Sequence, residues 1–398
     1  MRILDADSHL FERAELWSDY ADPTKRDDAL SIENDELGHP FLTHRGRRLM
    51  LTWTCEPGSY ESIGDLIQDH RAGRPSTYDY ATDLVESHWN PSVRRDCVAD
   101  WGIETAVCFP QWGINWELWL SDDLSSLRTN MEAWNRWAAE VRAEGRGRLH
   151  PVGHVTLRGD LNWLDTELAA LERAGIRLAM MSTGLVDGRR LSHPDLDRAW
   201  DSFVRHGITP TFHVGGTSLT GMIDGGWTTN DDIDYMPMLS FPMHGVDAQL
   251  ALADLVLNGV FERHSELRLA CVELLSRWLP DLCFKLDAAH TTHRRISGHA
   301  VSSLSMKPSD YLRRHVRVSA FASEKPAEIM SQVGPMLMFG GDFPHPEGHA
   351  SPYEDFRAKV GQPMPDELEG KFYGANLAEL LMVEAPNRAR LGESTDWD

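Results

Sequence analysis

The sequence has no pair of cysteines two residues apart, no apolar run long enough to cross a membrane, and no lysine between Arg26 and Phe284. It also has no GxGxxG motif after its first apolar segment, which weakens a dinucleotide-binding reading. The five cysteines, Cys55, Cys97, Cys108, Cys271 and Cys283, are odd in number and irregular in spacing. That pattern fits reduced thiols better than a disulfide framework or a thiolate metal site. Residues Met1 to Asp7 contain no apolar run of signal-peptide length. The resulting expectation is a cytoplasmic protein with no membrane partner.

Positive charge is also scarce. The formal net charge of the 398 residues is -22. A surface of that sign argues against a nucleic-acid partner, because phosphate binding needs clustered cations. It does not exclude an anionic small molecule, since a metal ion and a few arginines can make one pocket positive. Hydrophobic residues at 41% and charged residues at 25% are ordinary for a folded chain with a large core.

Short apolar runs alternate with amphipathic stretches. The apolar runs are Ile3 to Asp7, Glu104 to Pro110, Leu149 to Thr156, Ile176 to Ser182, Thr209 to Val214, Leu267 to Glu273, Val316 to Phe321 and Met336 to Asp342. Helical patterns fall at 91–102, 123–145, 160–174, 195–206, 245–263, 276–290 and 325–332. Asn90 before Pro91 is a start signal, and Gly175 and Gly207 are stop signals. Regular β-α alternation implies a parallel sheet. Eight such units predict a (β/α)₈ barrel, with an open doubly wound sheet as the rival. Residues 12–90 and 215–244 break the alternation after the first and fifth strands, and they read as insertions over the active-site face. Residues 1–383 then form one domain, followed by a polar tail at 384–398.

Ligand-type side chains stand at strand ends. Asp7 and His9 are two apart, so in a strand they share a face. They read as half of a metal site or as a hydrogen-bonded pair. His213 ends an apolar strand ahead of Gly215 and Gly216, and Asp342 ends another ahead of Phe343-Pro344-His345. A carboxylate there is costly unless it is ligated or paired. Glu273 has the same placement and reads as a fifth ligand, a general base or a structural carboxylate. Barrel geometry would bring these ends around one axis. Trp53, Trp89, Trp112, Trp116, Trp119 and Trp227 either wall a pocket or simply pack. Arg45, Arg47 and Arg48 either meet a substrate carboxylate or face solvent, and His290 and His293 stand at an expected helix end.

The motifs Leu4-Asp5-Ala6-Asp7-Ser8-His9, Phe212-His213-Val214-Gly215-Gly216, Val260-Phe261-Glu262-Arg263, Arg277-Trp278-Leu279-Pro280 and Gly341-Asp342-Phe343-Pro344-His345 carry a resemblance. Over Ile3 to about Val383 the chain resembles the amidohydrolase superfamily, in the amidohydrolase-2 branch of aminocarboxymuconate-semialdehyde and resorcylate decarboxylases. The resemblance implies metal ligands at Asp7, His9, His213 and Asp342, with Asp342, Glu273 and His345 in the chemistry. Strand four has no lysine to bridge two ions, so it implies one divalent metal, Zn or Mn. It further implies a homodimer and a small carboxylic-acid substrate. Glu273 stands where the branch's decarboxylases have His, a departure that bears on the reaction. The expected activity is non-oxidative decarboxylation of an aromatic or unsaturated acid. The alternatives are metal-assisted hydrolysis of an amide, lactone or carbon–carbon bond, and a non-catalytic binding protein on a degenerate barrel.

Overall fold

Each of the eight expected strands forms, and each is buried along its length in the computed structural model. The structure describes residues 1–117, 119–215, 240–296, 304–361 and 363–382. Gly216, Trp227, most of the expected 215–244 insertion and the 384–398 tail lie outside these described residues.

Parallel pairing runs from one strand to the next. Leu4 pairs with Thr105 and Ala106 with Leu149. Gly153 pairs with Ala179, and Thr209 with Leu178. Thr211 pairs with Ala270, Leu269 with Val316, and Val318 with Leu337. The segments Leu149–Pro151 and Gly153–His154 are two halves of one strand, the first pairing backward and the second forward. The ring closes where Ala6 N donates to Phe339 O at 2.9 Å and Ser8 bridges Phe343 in parallel. The result is a closed eight-stranded barrel, as the β-α alternation predicts.

Side chains from alternate strand positions fill the barrel. Leu4, Val107, Val152, Leu178, Ala270 and Met338 belong to one interior cluster. Leu377, Leu380 and Leu381 close its N-terminal end from helix Asn376–Leu380 and its cap. A larger apolar layer lies between the strands and the outer helices. Strands covered on both faces this way carry near-continuous apolar runs rather than alternation.

The expected helix ends hold up in detail. Asn90 Oδ1 accepts from Ser92 N at 2.9 Å with Pro91 in the first turn. Gly207 ends helix Asp197–His206 with φ +60°, a conformation that costs glycine little. Three boundaries differ. The 245–263 stretch breaks into Val246–Leu257 and Val260–Arg263 at Gly259, whose φ is +70°. The 276–290 helix runs as Leu279–Ile296, so His290 and His293 lie within it. The first strand is interrupted between Leu4–Asp5 and His9–Leu10.

The 12–90 insertion is not simply polar loop. It contains a three-stranded antiparallel sheet, Leu30–Asn34, Pro40–His44 and Arg47–Leu51. Arg45 and Gly46 form the tight hairpin turn between the last two strands, both at positive φ.

Candidate metal centre

Strand ends one, five, six and eight deliver Asp7, His9, His213, Glu273 and Asp342 to one point at the C-terminal mouth. All are at most 5% exposed. His9 Nε2 is 3.5 Å from Asp7 Oδ1, 3.5 Å from Glu273 Oε2 and 3.5 Å from Asp342 Oδ1. His213 Nε2 is 3.6 Å from Asp7 Oδ1 and 3.4 Å from Glu273 Oε2. The interruption of the first strand does not separate Asp7 from His9, because Ser8 is anchored. Its hydroxyl donates to Phe343 O at 3.2 Å and accepts from buried Arg94 Nη1 at 2.7 Å.

The imidazoles are oriented from behind. His9 Nδ1 donates to Pro110 O at 3.2 Å, and His213 Nδ1 donates to Val214 O at 2.8 Å. A backbone carbonyl can only accept, so each ring keeps its Nε2 lone pair for the cluster. Gly215 lets the 113–116 turn press against the end of strand five, since a Cβ there would lie 1.9 Å from Ile114 O.

Two of the acids occupy strained backbone. Glu273 has φ +56° and Asp342 φ +52°. Such a conformation costs a non-glycine residue about 1–3 kcal/mol and needs surrounding support. Glu273 N donates to Ser319 Oγ at 2.9 Å, and Asp342 N donates to Asp7 O at 2.7 Å. Asp5, behind the cluster, accepts from Gly341 N at 2.7 Å and ties strand one to strand eight. Burial pushes its carboxyl up to about 8.

The donor atoms themselves are unmet. Asp7 Oδ1, His9 Nε2, His213 Nε2, Glu273 Oε2 and both Asp342 oxygens are buried without a hydrogen-bond partner. A buried polar atom without a partner costs roughly 1–3 kcal/mol, more if charged. Burial holds Glu273 well above the carboxylate range against the pull of His213. Burial and the charges of Glu273 and Asp7 do the same to Asp342. Asp7 goes the other way, because His213 and His9 outweigh its burial. One divalent cation at this point would satisfy all these atoms, and the oxygen and nitrogen donors suit Zn²⁺ or Mn²⁺.

The residues group in two overlapping sets. Asp7, His9, His213 and Glu273 offer ligand atoms within 4.8 Å of one another, as do His9, Glu273, Asp342 and His345. Glu273 therefore stands among the donors, as close as Asp342 is. His345 Nε2 donates to Gln111 Oε1 at 2.7 Å, and its Nδ1 lies 2.7 Å from Asp342 Oδ1 without hydrogen-bond alignment. Burial keeps the His345 ring neutral, helped by His9 and His213.

Sequence reasoning missed Gln111 and Glu347. Gln111 follows the second strand directly, the same strand-end placement that singled out the other residues. Glu347 is on the loop after His345, and Tyr60 Oη donates to it at 3.4 Å. Burial raises its carboxyl, and it acts on the charges of Glu273 and Asp342.

The remaining candidates have other occupations. Arg45 pairs with Asp28 and Asp123, Arg47 donates to Trp119 O at 2.9 Å, and Arg48 lies over Phe41. Trp53 comes within 6.2 Å of the His345 ring, Trp112 donates to Tyr80 Oη, and Trp89 stacks under Arg13. Trp116 covers His154, and Trp119 packs on the core. The five cysteines are unpaired. No helix among the described residues is long and apolar enough to cross a membrane.

No protein-family model matches the chain, and no curated protein does. Solved structures do. An amidohydrolase from Mycobacterium avium subsp. paratuberculosis K-10 superposes with a TM-score of 0.75 at 21% identity, covering 96% of this chain and 99% of that one. The 5-carboxyvanillate decarboxylase of Novosphingobium aromaticivorans DSM 12444, with bound manganese and 3-methoxy-4-hydroxy-5-nitrobenzoic acid, gives 0.63 at 18% identity, covering 96% and 97%. A 2,6-dihydroxybenzoate decarboxylase in complex with 2,6-dihydroxybenzoate gives 0.59 at 14% identity, covering 96% and 100%. The chain shares their fold.

Proposed function

We propose that the chain is a metal-dependent enzyme that decarboxylates an aromatic or unsaturated carboxylic acid without an oxidant. The observation that carries this reading is the convergence of unpartnered buried donor atoms at a barrel mouth. The substrate class draws on the decarboxylases that share the fold, two of which are described with benzoate-type ligands.

Asp7, His9, His213 and Asp342 would hold one divalent ion, manganese or zinc, with Glu273 beside them. When bound, the ion supplies Lewis acidity toward the substrate carboxylate or an adjacent hydroxyl and offsets the clustered negative charge. Asp342, Glu273 and His345 are the proposed catalytic residues. Asp342 is the proposed proton donor, the role that the family resemblance gives its position. The proton goes to the ring carbon that carries the carboxyl group. The carbon–carbon bond then breaks, and its electron pair restores the ring as CO₂ leaves. His345, anchored by Gln111, stands beside that carboxyl with its Nδ1 2.7 Å from Asp342 Oδ1.

A second reading has one specific observation behind it. Glu273 Oε2 lies 3.4 Å from His213 Nε2 and 3.5 Å from His9 Nε2, where the resembling decarboxylases have His. A carboxylate there suits a general base for hydrolysis. We further propose one domain over residues 1–383, insertions at 12–90 and 215–244 capping the pocket, a homodimer and a cytoplasmic location.

Incubation of the metal-loaded protein with a panel of hydroxybenzoates separates the reactions. Release of CO₂ supports decarboxylation. Uptake of ¹⁸O from water into product, with no CO₂, supports hydrolysis. Purified protein with less than about a tenth of an equivalent of transition metal would overturn both.

A further inference from the structure

A second polar pair stands at the same mouth, outside the metal donors. His154 ends the third strand, pairs with Met180 and follows Val152 by two residues; Met180 and Val152 both belong to the barrel interior. The imidazole therefore points inward at the C-terminal end. Trp116 covers it from the 113–116 turn, with ring centroids 4.9 Å apart. Ile114 of that turn packs on the barrel interior and presses its carbonyl against Gly215, two residues after His213.

Both rings are fully buried, and each keeps one nitrogen without a partner: His154 Nδ1 and Trp116 Nε1. His154 Nε2 is 3.4 Å from Glu117 Oε2. A carboxylate oxygen accepts, so Nε2 is the nitrogen that carries the hydrogen toward Glu117, and the imidazole tautomer this selects presents its lone pair at Nδ1. Indole Nε1 can only donate. The two rings are in contact, one with an unmet acceptor and the other with an unmet donor, and together they complement a group that donates and accepts through one atom.

We propose that His154 Nδ1 and Trp116 Nε1 form a subsite for a hydroxyl group of the ligand, with Glu117 setting the His154 tautomer. The hydroxyl hydrogen goes to Nδ1, and its oxygen accepts from the indole. The ligand of the pocket thus carries a hydroxyl group, held outside the set of metal donors. The assignment rests on the reading of the mouth as the ligand pocket, but not on decarboxylation.

The test uses phenol and anisole, which share the ring and its attached oxygen; in anisole a methyl group replaces the hydroxyl hydrogen. Binding to the full-length protein is measured by calorimetry, with ¹⁵N NMR of the histidine ring nitrogens. Phenol is expected to bind about tenfold more tightly than anisole, the value of one well-made buried hydrogen bond. It should also shift one Nδ1 signal that is missing in His154→Phe. His154→Phe should erase the preference. Glu117→Gln, a milder change, should reduce it several-fold with the circular dichroism unchanged. Undetectable phenol binding, equal binding of the two probes, or a preference that survives in Glu117→Gln and His154→Phe would overturn the subsite. Neither probe carries a carboxylate. Failure to release CO₂ from hydroxybenzoates therefore counts against the proposed reaction alone.

Discussion

Glu12 and Glu273 are the same residue type, are both buried, and stand at the same end of one barrel. Their surroundings differ completely. Glu12 Oε2 accepts from Gln111 N at 3.1 Å and Trp112 N at 2.9 Å, and its Oε1 accepts from Gly113 N at 2.9 Å. It clasps the loop after strand two to the end of strand one. Glu273 Oε2 has no hydrogen-bond partner. Glu324 repeats the first pattern, accepting from Ser276, Arg277 and Phe321 N. Burial of a carboxylate therefore does not mark a site. An unmet bonding capacity at a strand end does, because the folded chain gains nothing by leaving it so.

The largest expected effect separates the two regions outright. His213→Ala should lower metal affinity at least about a hundredfold, while circular dichroism stays native. Elemental analysis after dialysis reads this, and full occupancy in the variant would show the ligand assignment to be wrong.

Glu12→Ala should do the reverse. Three backbone N–H groups lose their acceptor, so stability should fall by about 3 kcal/mol or more in denaturant titrations. Metal bound per folded molecule should not change. If the loss is under about 1 kcal/mol, water replaces the carboxylate and the contrast with Glu273 fails.

A buried group that is neither clasp nor ligand gives the next test. His150 is buried in the barrel wall, its Nε2 accepts from Arg177 N at 3.0 Å, and burial pushes its pKa down to about 3. The unfolded chain binds that proton below about pH 6.5, while the folded chain resists it. Its stability contribution is thus complete above about pH 6.5 and is lost as pH falls toward the folded value. By pH 5 the loss should be about 2 kcal/mol. His150→Gln should show that much less change between pH 7 and pH 5. Identical slopes for variant and parent would remove His150 from the account.

The smallest effect bears on Glu273 itself. In chelator-treated protein, Glu273→Gln removes a buried carboxylate that nothing satisfies, so stability should rise by about 1 kcal/mol. With metal supplied, the same variant should gain less from the ion than the parent does. A destabilised metal-free variant would mean that Glu273 is a structural clasp like Glu12.

Much of this was readable in the linear order of residues. The apolar runs that end in Asp342 and Glu273 are long enough to mark both strand and exit. Asp7 and His9 are close in sequence, and the β-α order predicts a barrel with an open doubly wound sheet as its rival. The contacts that rank these residues were not readable. Nothing in the sequence distinguishes Glu12 from Glu273 as clasp and orphan, since that depends on three backbone N–H groups about a hundred residues away. The antiparallel sheet within 12–90 was hidden because its strands are short and carry polar residues such as Glu33, Thr43 and Arg48.

By itself, the sequence favoured the closed barrel over an open sheet and placed Asp7, His9, His213, Glu273 and Asp342 at strand ends. Local periodicity sets strand and helix, and alternation sets the order in which they pack. Only the tertiary structure decided which of the arriving side chains find partners. Glu12 finds three backbone N–H groups, Asp342 and Glu273 are left with unmet oxygens, and His154 and Trp116 keep a nitrogen each to spare. Partnering depends on distances between segments far apart in the chain, and those distances exist only once the ring has closed.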